Sequence, residues 1–174
     1  MRRLSRVLAT LAAPLVLAGL TAPAAAQADD THVTDRDDHY GVDRVIPVED
    51  SDPQMSAAIA AAQATLPEWL AILADPPKGA EYVVFKYPLG GWEHIWVDNV
   101  RRQGDILVGT LANHPVQEGH AYGERVLVPI SEVSDWGWWD ADGRAQGYRT
   151  MAVLFDRMEP AEAARYRRQM GWAY

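Results

Sequence analysis

The fold is decided by residues 81–99, EYVVFKYPLGGWEHIWVDN, where two runs rich in β-branched and aromatic residues flank Leu89-Gly90-Gly91. Successive side chains of a strand point to opposite faces, so a period of two predicts a strand for each run. The glycine pair between them supplies the chemistry of a tight turn. We therefore expect residues 81–87 and 92–99 to form an antiparallel hairpin.

Two helices are predicted before this hairpin. Asp52-Pro53 is an N-cap followed by a proline in the first turn, and the apolar residues after it recur at a spacing of three and four. Thr65-Leu66-Pro67-Glu68 has the form of a capping box that begins a second short helix. Asp75-Pro76-Pro77 ends that helix.

Further strands are predicted after the hairpin, and a final helix follows them. The strands are expected at residues 106–112, 125–130, 135–139 and 148–155. The last helix begins at Pro160 and ends before Gly171. Residues 52–174 are thus expected to form one α+β domain: two N-terminal helices, a twisted antiparallel sheet of about five to six strands, and one C-terminal helix.

The N-terminus has the pattern of an export signal. Arg2, Arg3 and Arg6 precede an apolar run that is shorter than the roughly 20 residues a membrane-spanning helix needs. Small residues allow cleavage after Ala26 or after Ala28. We expect residues 1–26 to be a signal peptide and the protein to be exported to the periplasm or secreted.

Composition narrows the classes of partner. Removal of residues 1–26 takes away three arginines and no acid, so the net charge falls from −8 to −11. Such a charge argues against nucleic acid and against anionic membrane surfaces, which bind basic patches. The chain has no cysteine, which excludes a lipoprotein anchor, disulfides and thiolate metal sites. Residues 27–51 are acidic and are expected to form a poorly ordered leader.

The most informative candidate site lies on the second strand of the hairpin. Alternation along that strand places Trp92, His94 and Trp96 on one face, opposite Glu93 and Ile95. Three interpretations remain open: a sheet covered on both sides, with these residues in a core; a ligand-binding groove lined by the two indoles; or catalysis with His94 as a general acid or base.

Other residues extend these alternatives. For catalysis, Asp135 is the better partner of His94, because Glu93 as its strand neighbour faces away. For ligand binding, we include Lys86, Asn113 and Trp136 as candidate contacts. His94, His114 and His120 follow no metal-ligand spacing rule, and we predict no metal site and no cofactor.

Several pieces of the chain resemble a bacterial family of unknown function, the YegJ-like proteins or domain of unknown function 2314. The resemblance extends from about Asp52 to Phe155. Its most distinctive pieces are Glu93-His94-Ile95-Trp96-Val97, residues 109–115 (GTLANHP) and Asp135-Trp136. The resemblance implies domain limits and a fold type, and it implies no reaction, cofactor or catalytic residue.

The sequence therefore favours an exported, non-catalytic module of the cell envelope that binds a protein partner or a small ligand. It predicts no nucleic-acid binding and no stable membrane anchoring once the signal is removed. The alternative is a small hydrolase-like enzyme that uses His94 with Asp135.

Overall fold

The computed structural model describes residues 4–10, 43–49 and 52–172, and it confirms the α+β class. The described elements are β1 (Leu4–Thr10), β2 (Asp43–Glu49), α1 (Pro53–Ala64), α2 (Leu66–Ala74), β3 (Glu81–Leu89), β4 (Glu93–Gln103), β5 (Ile106–Leu111), β6 (Arg125–Pro129), β7 (Asp135–Trp139), β8 (Ala145–Gly147), α3 (Arg149–Phe155) and α4 (Pro160–Gln169). A short 3₁₀ turn, Ile130–Glu132, precedes β7.

The predicted hairpin lies near the middle of the sheet. β3 pairs antiparallel with β4 on one side and with β7 on the other, and β8 continues the sheet beyond β7. β5 pairs with the second half of β4, and β6 pairs with β5. Six antiparallel strands, β3 to β8, therefore form the sheet within residues 52–172.

The two N-terminal helices differ in how they begin. α1 has the predicted cap, because a carboxylate oxygen of Asp52 accepts the backbone N–H groups of Gln54 and Met55 at 2.9 and 3.0 Å. α2 does not have the predicted capping box. The hydroxyl of Thr65 donates instead to the carbonyl of Ala61 at 2.9 Å, since Thr65 also ends α1.

The strand predicted at residues 148–155 is wrong, because Arg149–Phe155 forms α3. Met151, Leu154 and Phe155 are all buried at the spacing of a helix face. α3 therefore adds a helix to the predicted set, and the last predicted helix is confirmed as α4.

Helices cover both faces of the sheet. On one face, residues of α1 and α2 pack against alternate residues of the strands. This first cluster is Ala62, Leu66, Trp69, Phe85, Tyr87, Leu89, Ile95, Val97, Leu107, Leu111, Val126, Val128, Val133 and Trp136. On the other face, α3 and α4 together with their cap residues contribute most of a second cluster: Met55, Trp96, Ala112, Tyr148, Met151, Leu154, Phe155, Ala163 and Met170.

Two strands come from the region that precedes the domain. β1 lies inside the predicted signal peptide and β2 inside the predicted leader, and the two pair antiparallel along their whole length. The three β-branched residues of β2, Val45, Ile46 and Val48, favour an extended backbone. Residues 11–42, with both predicted cleavage sites, lie outside the described residues.

Among the described residues, no single helix is long and apolar enough to cross a membrane. Only α1 and α2 taken together reach such a length and composition, and they are bent by 49° relative to each other.

Candidate functional site

A row of three residues crosses the middle of the sheet on its α3 face. Lys86 on β3 lies opposite Trp96 of β4 on one side and opposite Asp135 of β7 on the other. Residues directly opposite on neighbouring strands bring their side chains together. All three side chains are buried, so this row places a lysine and an aspartate inside the protein.

Lys86 has few polar neighbours for a buried ammonium group. Its Nζ donates to Oγ1 of Thr150 at 3.2 Å and lies 3.9 Å from the sulfur of Met151. The ring of Trp96 is 4.6 Å away, which is a cation–π distance. Burial lowers the pKa of Lys86 to about 8, and the nearby Asp135 acts in the opposite direction.

Asp135 uses both carboxylate oxygens to hold the start of α3. Oδ2 accepts the backbone N–H and the hydroxyl of Thr150 at 2.8 and 2.6 Å, and Oδ1 accepts the N–H of Arg149 at 3.1 Å. The cap residue of α3, Tyr148, has φ +51° and offers no side-chain bond, so Asp135 replaces a local cap. Burial raises the pKa of Asp135, against the charge of Lys86.

The hydroxyl of Thr150 connects the two charged groups. It donates its proton to Asp135 and accepts a hydrogen bond from Lys86. Lys86, Thr150 and Asp135 are hereafter the polar triad. The sequence identified Lys86 and Asp135 only as separate candidates and missed Thr150, because its place on α3 depends on a helix that local patterns did not predict.

His94 takes part in a different contact. Its Nδ1 lies 2.8 Å from the hydroxyl of Ser134, and that hydroxyl donates to the carbonyl of Lys86 at 3.2 Å. A serine has one hydroxyl proton, so Ser134 donates to Lys86 only when Nδ1 of His94 carries its own proton, and the tautomer of His94 sets the direction of their contact. Burial lowers the pKa of His94 to about 4, and the positive charge of Lys86 adds to this. His94 is therefore neutral at pH 7.

The structure does not join His94 to Asp135 as the hydrolase hypothesis requires. Nδ1 of His94 is bonded to Ser134, and the carboxylate of Asp135 accepts N–H and O–H groups from the start of α3. The geometry is thus that of a helix cap beside a neutral histidine.

Glu93 and Asn113 both tie the loop after β5 to β4. The buried carboxylate of Glu93 accepts the backbone N–H groups of Val116 and Gln117, each at 2.8 Å. The buried Oδ1 of Asn113 accepts the N–H of Trp96 at 3.1 Å. Glu93 points away from His94, as the strand alternation predicts, and its role is to fix a loop.

The tryptophans considered as groove residues do not form one face. Trp96 is 4% exposed and belongs to the second cluster, whereas Trp136 is 5% exposed and belongs to the first, on the opposite side of the sheet. The indole N–H of Trp136 donates to the carbonyl of Ala62 at 2.8 Å. Trp92, in the hairpin turn, is half-buried. Of the three interpretations, the one in which both faces of the sheet are covered and these residues lie in a core holds for Trp96 and Trp136.

Exposed apolar side chains occur instead on the loop that Glu93 holds. Val116 is 43% exposed and Tyr122 is 39% exposed, and the ring of His114 stacks on Tyr122 with centroids 5.2 Å apart. A side chain at Gly90 would overlap Gln117, so the hairpin turn and the loop lie in contact. Residues 90–92 and 112–124 are hereafter the loop surface.

The histidines of this region do not assemble a metal site. Nδ1 of His120 pairs with Glu124 at 3.0 Å, while His114 stacks on Tyr122. Within residues 52–172, no three histidine or carboxylate side chains come close enough together to hold a metal ion.

The protein is thus a small α+β domain with the polar triad between its sheet and α3, and with a fixed, partly apolar loop surface at one end of the sheet. A family of uncharacterized proteins conserved in bacteria, domain of unknown function 2314, matches residues 52–174, and the chain belongs to that family. The chain matches no curated protein and no solved structure.

Proposed function

We propose that this protein is an exported, non-catalytic binding module of the cell envelope, which contacts a protein partner through the loop surface. The single observation that supports this most is the pair of 2.8 Å bonds from Glu93 to the backbone of Val116 and Gln117. A loop held in one conformation before binding loses little conformational entropy when a partner arrives.

The chemistry of the loop surface suits a protein contact. Tyrosine and aliphatic side chains that project from loops are frequent anchors of protein interfaces. Val116 and Tyr122 project from a loop that β4 and β5 position, which is where binding residues concentrate in many folds.

The titratable side chains of Asp135, Glu93 and Lys86 all bond to other groups of the protein, which supports a non-catalytic role. Asp135 caps a helix, Glu93 fixes a loop, and Lys86 donates to Thr150. A general base must reach the proton it removes from a substrate, and these three side chains are fully buried.

Export is tested by the N-terminus of the protein made in its own host. The proposal expects periplasmic or secreted protein that begins at Gln27 or Asp29, as read by N-terminal sequencing. Protein that keeps Met1 and stays in the cytoplasm would contradict export.

Binding is tested by a double substitution in the loop surface. Val116→Ser with Tyr122→Ala is expected to lose a partner that the unchanged domain captures from envelope extract, with unaltered folding. Leu127→Ser is the matched control, because Leu127 is an exposed apolar residue of β6, outside the loop surface. Equal capture by both variants would contradict the proposed surface.

A further inference from the structure

One edge of β4 is covered by three different segments of the chain. β5 pairs with β4 from Val97 to Gln103. At Trp96, the N–H group donates to the side chain of Asn113, and the carbonyl accepts the N–H of Ala112 at 2.9 Å. The backbone groups of His94 face the same edge, because they alternate along a strand with a period of two. There, His94 pairs with Val7 of β1.

The segment that covers His94 is the one that export would remove. β1 lies within residues 1–26, and its other edge pairs with β2 over residues 43–49. Removal of residues 1–26 would therefore leave the backbone of His94 without β1 and β2 without its partner. Open strand edges invite pairing with other chains, and native proteins cover them.

We propose that, in the processed protein, residues 43–49 take the place of β1 on the edge of β4 and cover His94. The inference rests on the proposed removal of residues 1–26. The signal peptide would then act as a temporary strand in the precursor, and the processed chain would close the same edge with a segment of its own.

The chain can make this shift with little rearrangement. Neighbouring strands are about 4.8 Å apart, so β2 must move by one strand position. Residues 50–52 join β2 to α1 and can span up to about 10 Å when extended. The tether also keeps the segment at a high effective concentration near its new partner.

The direction and composition of β2 suit the new position. β2 is antiparallel to β1, and β1 is parallel to β4, so β2 would run antiparallel to β4. Antiparallel pairing is slightly more stable per residue than the parallel pairing that it would replace. Val45, Ile46 and Val48 favour a strand, and Pro47 is acceptable at an outer edge, where its missing N–H faces solvent.

Hydrogen exchange on a chain that begins at Gln27 tests the proposal directly. Both core clusters lie between Met55 and Trp172, so this chain keeps the whole core. We expect the amide of His94, and those amides of residues 43–49 that face β4, to exchange about 10-fold or more slowly than unstructured amides.

Two matched variants give the comparison. Ile46→Asp places a charge in the segment and is expected to remove protection from residues 43–49 and from His94 together. Val33→Asp makes the same kind of change in the leader outside the segment and is expected to leave both protected. Near-ultraviolet circular dichroism shows whether each variant keeps its core.

Three results would overturn the proposal. Residues 43–49 could exchange at the unstructured rate in the unchanged chain, or they could be protected while His94 is not. His94 could also stay protected in the Ile46→Asp variant, which would mean that something else covers the edge. Because the chain is made to begin at Gln27, these results do not depend on whether the cell exports the protein.

Discussion

Lys86 and Asp135 lie directly opposite each other on β3 and β7, and the hydroxyl of Thr150 on α3 connects them by two hydrogen bonds. The charged groups of Lys86 and Asp135 thus share one neutral hydrogen-bonding partner. This arrangement ties a helix to the centre of the sheet, and it makes the folding of the domain sensitive to the bridging hydroxyl.

Replacement of that hydroxyl tests the bridge. Thr150→Val is close in shape but leaves Lys86 and Asp135 each without one buried partner. We expect the free energy of unfolding, measured in urea, to fall by about 1–3 kcal/mol. Thr150→Ser keeps a hydroxyl and should retain most of the stability. A larger loss in Thr150→Ser than in Thr150→Val would show that the methyl group, rather than the hydroxyl, matters.

The lowered pKa of Lys86 predicts that the stability of the fold depends on pH in the alkaline range. Its pKa falls from 10.5 when unfolded to about 8 when folded, so between these values the unfolded state binds more protons. Stability therefore rises with pH across that range, by up to about 3 kcal/mol from this group alone.

Urea unfolding at pH 7.5 and pH 10 measures the lysine effect. Relative to Lys86→Met, the unchanged protein should gain stability between the two pH values. The control is Lys78→Met, since Lys78 is exposed and is the other lysine of the chain. A gain that persists in Lys86→Met would mean that another group titrates.

The lowered pKa of His94 predicts that the stability of the fold decreases at acidic pH. Its pKa falls from 6.5 when unfolded to about 4 when folded. As the pH drops from 6.5 towards 4, the unfolded state takes up a proton and the folded state does not, so the histidine lowers stability by up to about 3 kcal/mol.

A glutamine variant isolates this contribution. His94→Gln should lose less stability than the unchanged protein when the pH is lowered from 7 to 4.5. His32→Gln, in the leader, should behave like the unchanged protein. Parallel curves for all three proteins would contradict the partly buried, neutral state of His94.

Glu93→Gln should loosen the loop surface. A glutamine side chain has one acceptor oxygen where the carboxylate has two, so one of the two bonds to Val116 and Gln117 is lost. We expect faster amide exchange at these two residues and a loss of about 1–3 kcal/mol in stability. Glu118→Gln, at an exposed position of the same loop, is the control.

Truncation of Trp96 and truncation of Tyr122 should change the stability by very different amounts. Trp96→Ala removes a buried aromatic side chain and should cost about 3–5 kcal/mol. Tyr122→Ala changes an exposed residue and should stay within about 0.5 kcal/mol of the unchanged protein. Thermal or urea unfolding of both variants checks the contrast. A small effect at Trp96 would contradict its place in the second cluster.

The sequence predicted the features that depend on local patterns. The cap at Asp52, the hairpin around residues 90–91 and the opposite orientation of Glu93 and His94 all follow from the spacing and chemistry of neighbouring residues. The family resemblance is confirmed, because the family model matches residues 52–174.

What the sequence could not predict depends on contacts between distant segments. α3 is capped by Asp135 of β7 and not by a residue next to it in the chain, so no local capping signal marks residues 149–155 as a helix. Alternation separated the two faces of β4 correctly, but it could not show that α3 and α4 cover the face of Trp96. The loop surface was missed because its order comes from Glu93, more than twenty residues earlier in the chain.

The cap that Asp135 provides also bears on the order of folding. A seven-residue helix is too short to persist alone in water, and α3 receives no side-chain cap from Tyr148. Its first turn becomes stable only when β7 is already in place beside β3. α3 should therefore form late, and its formation reports that the sheet has closed.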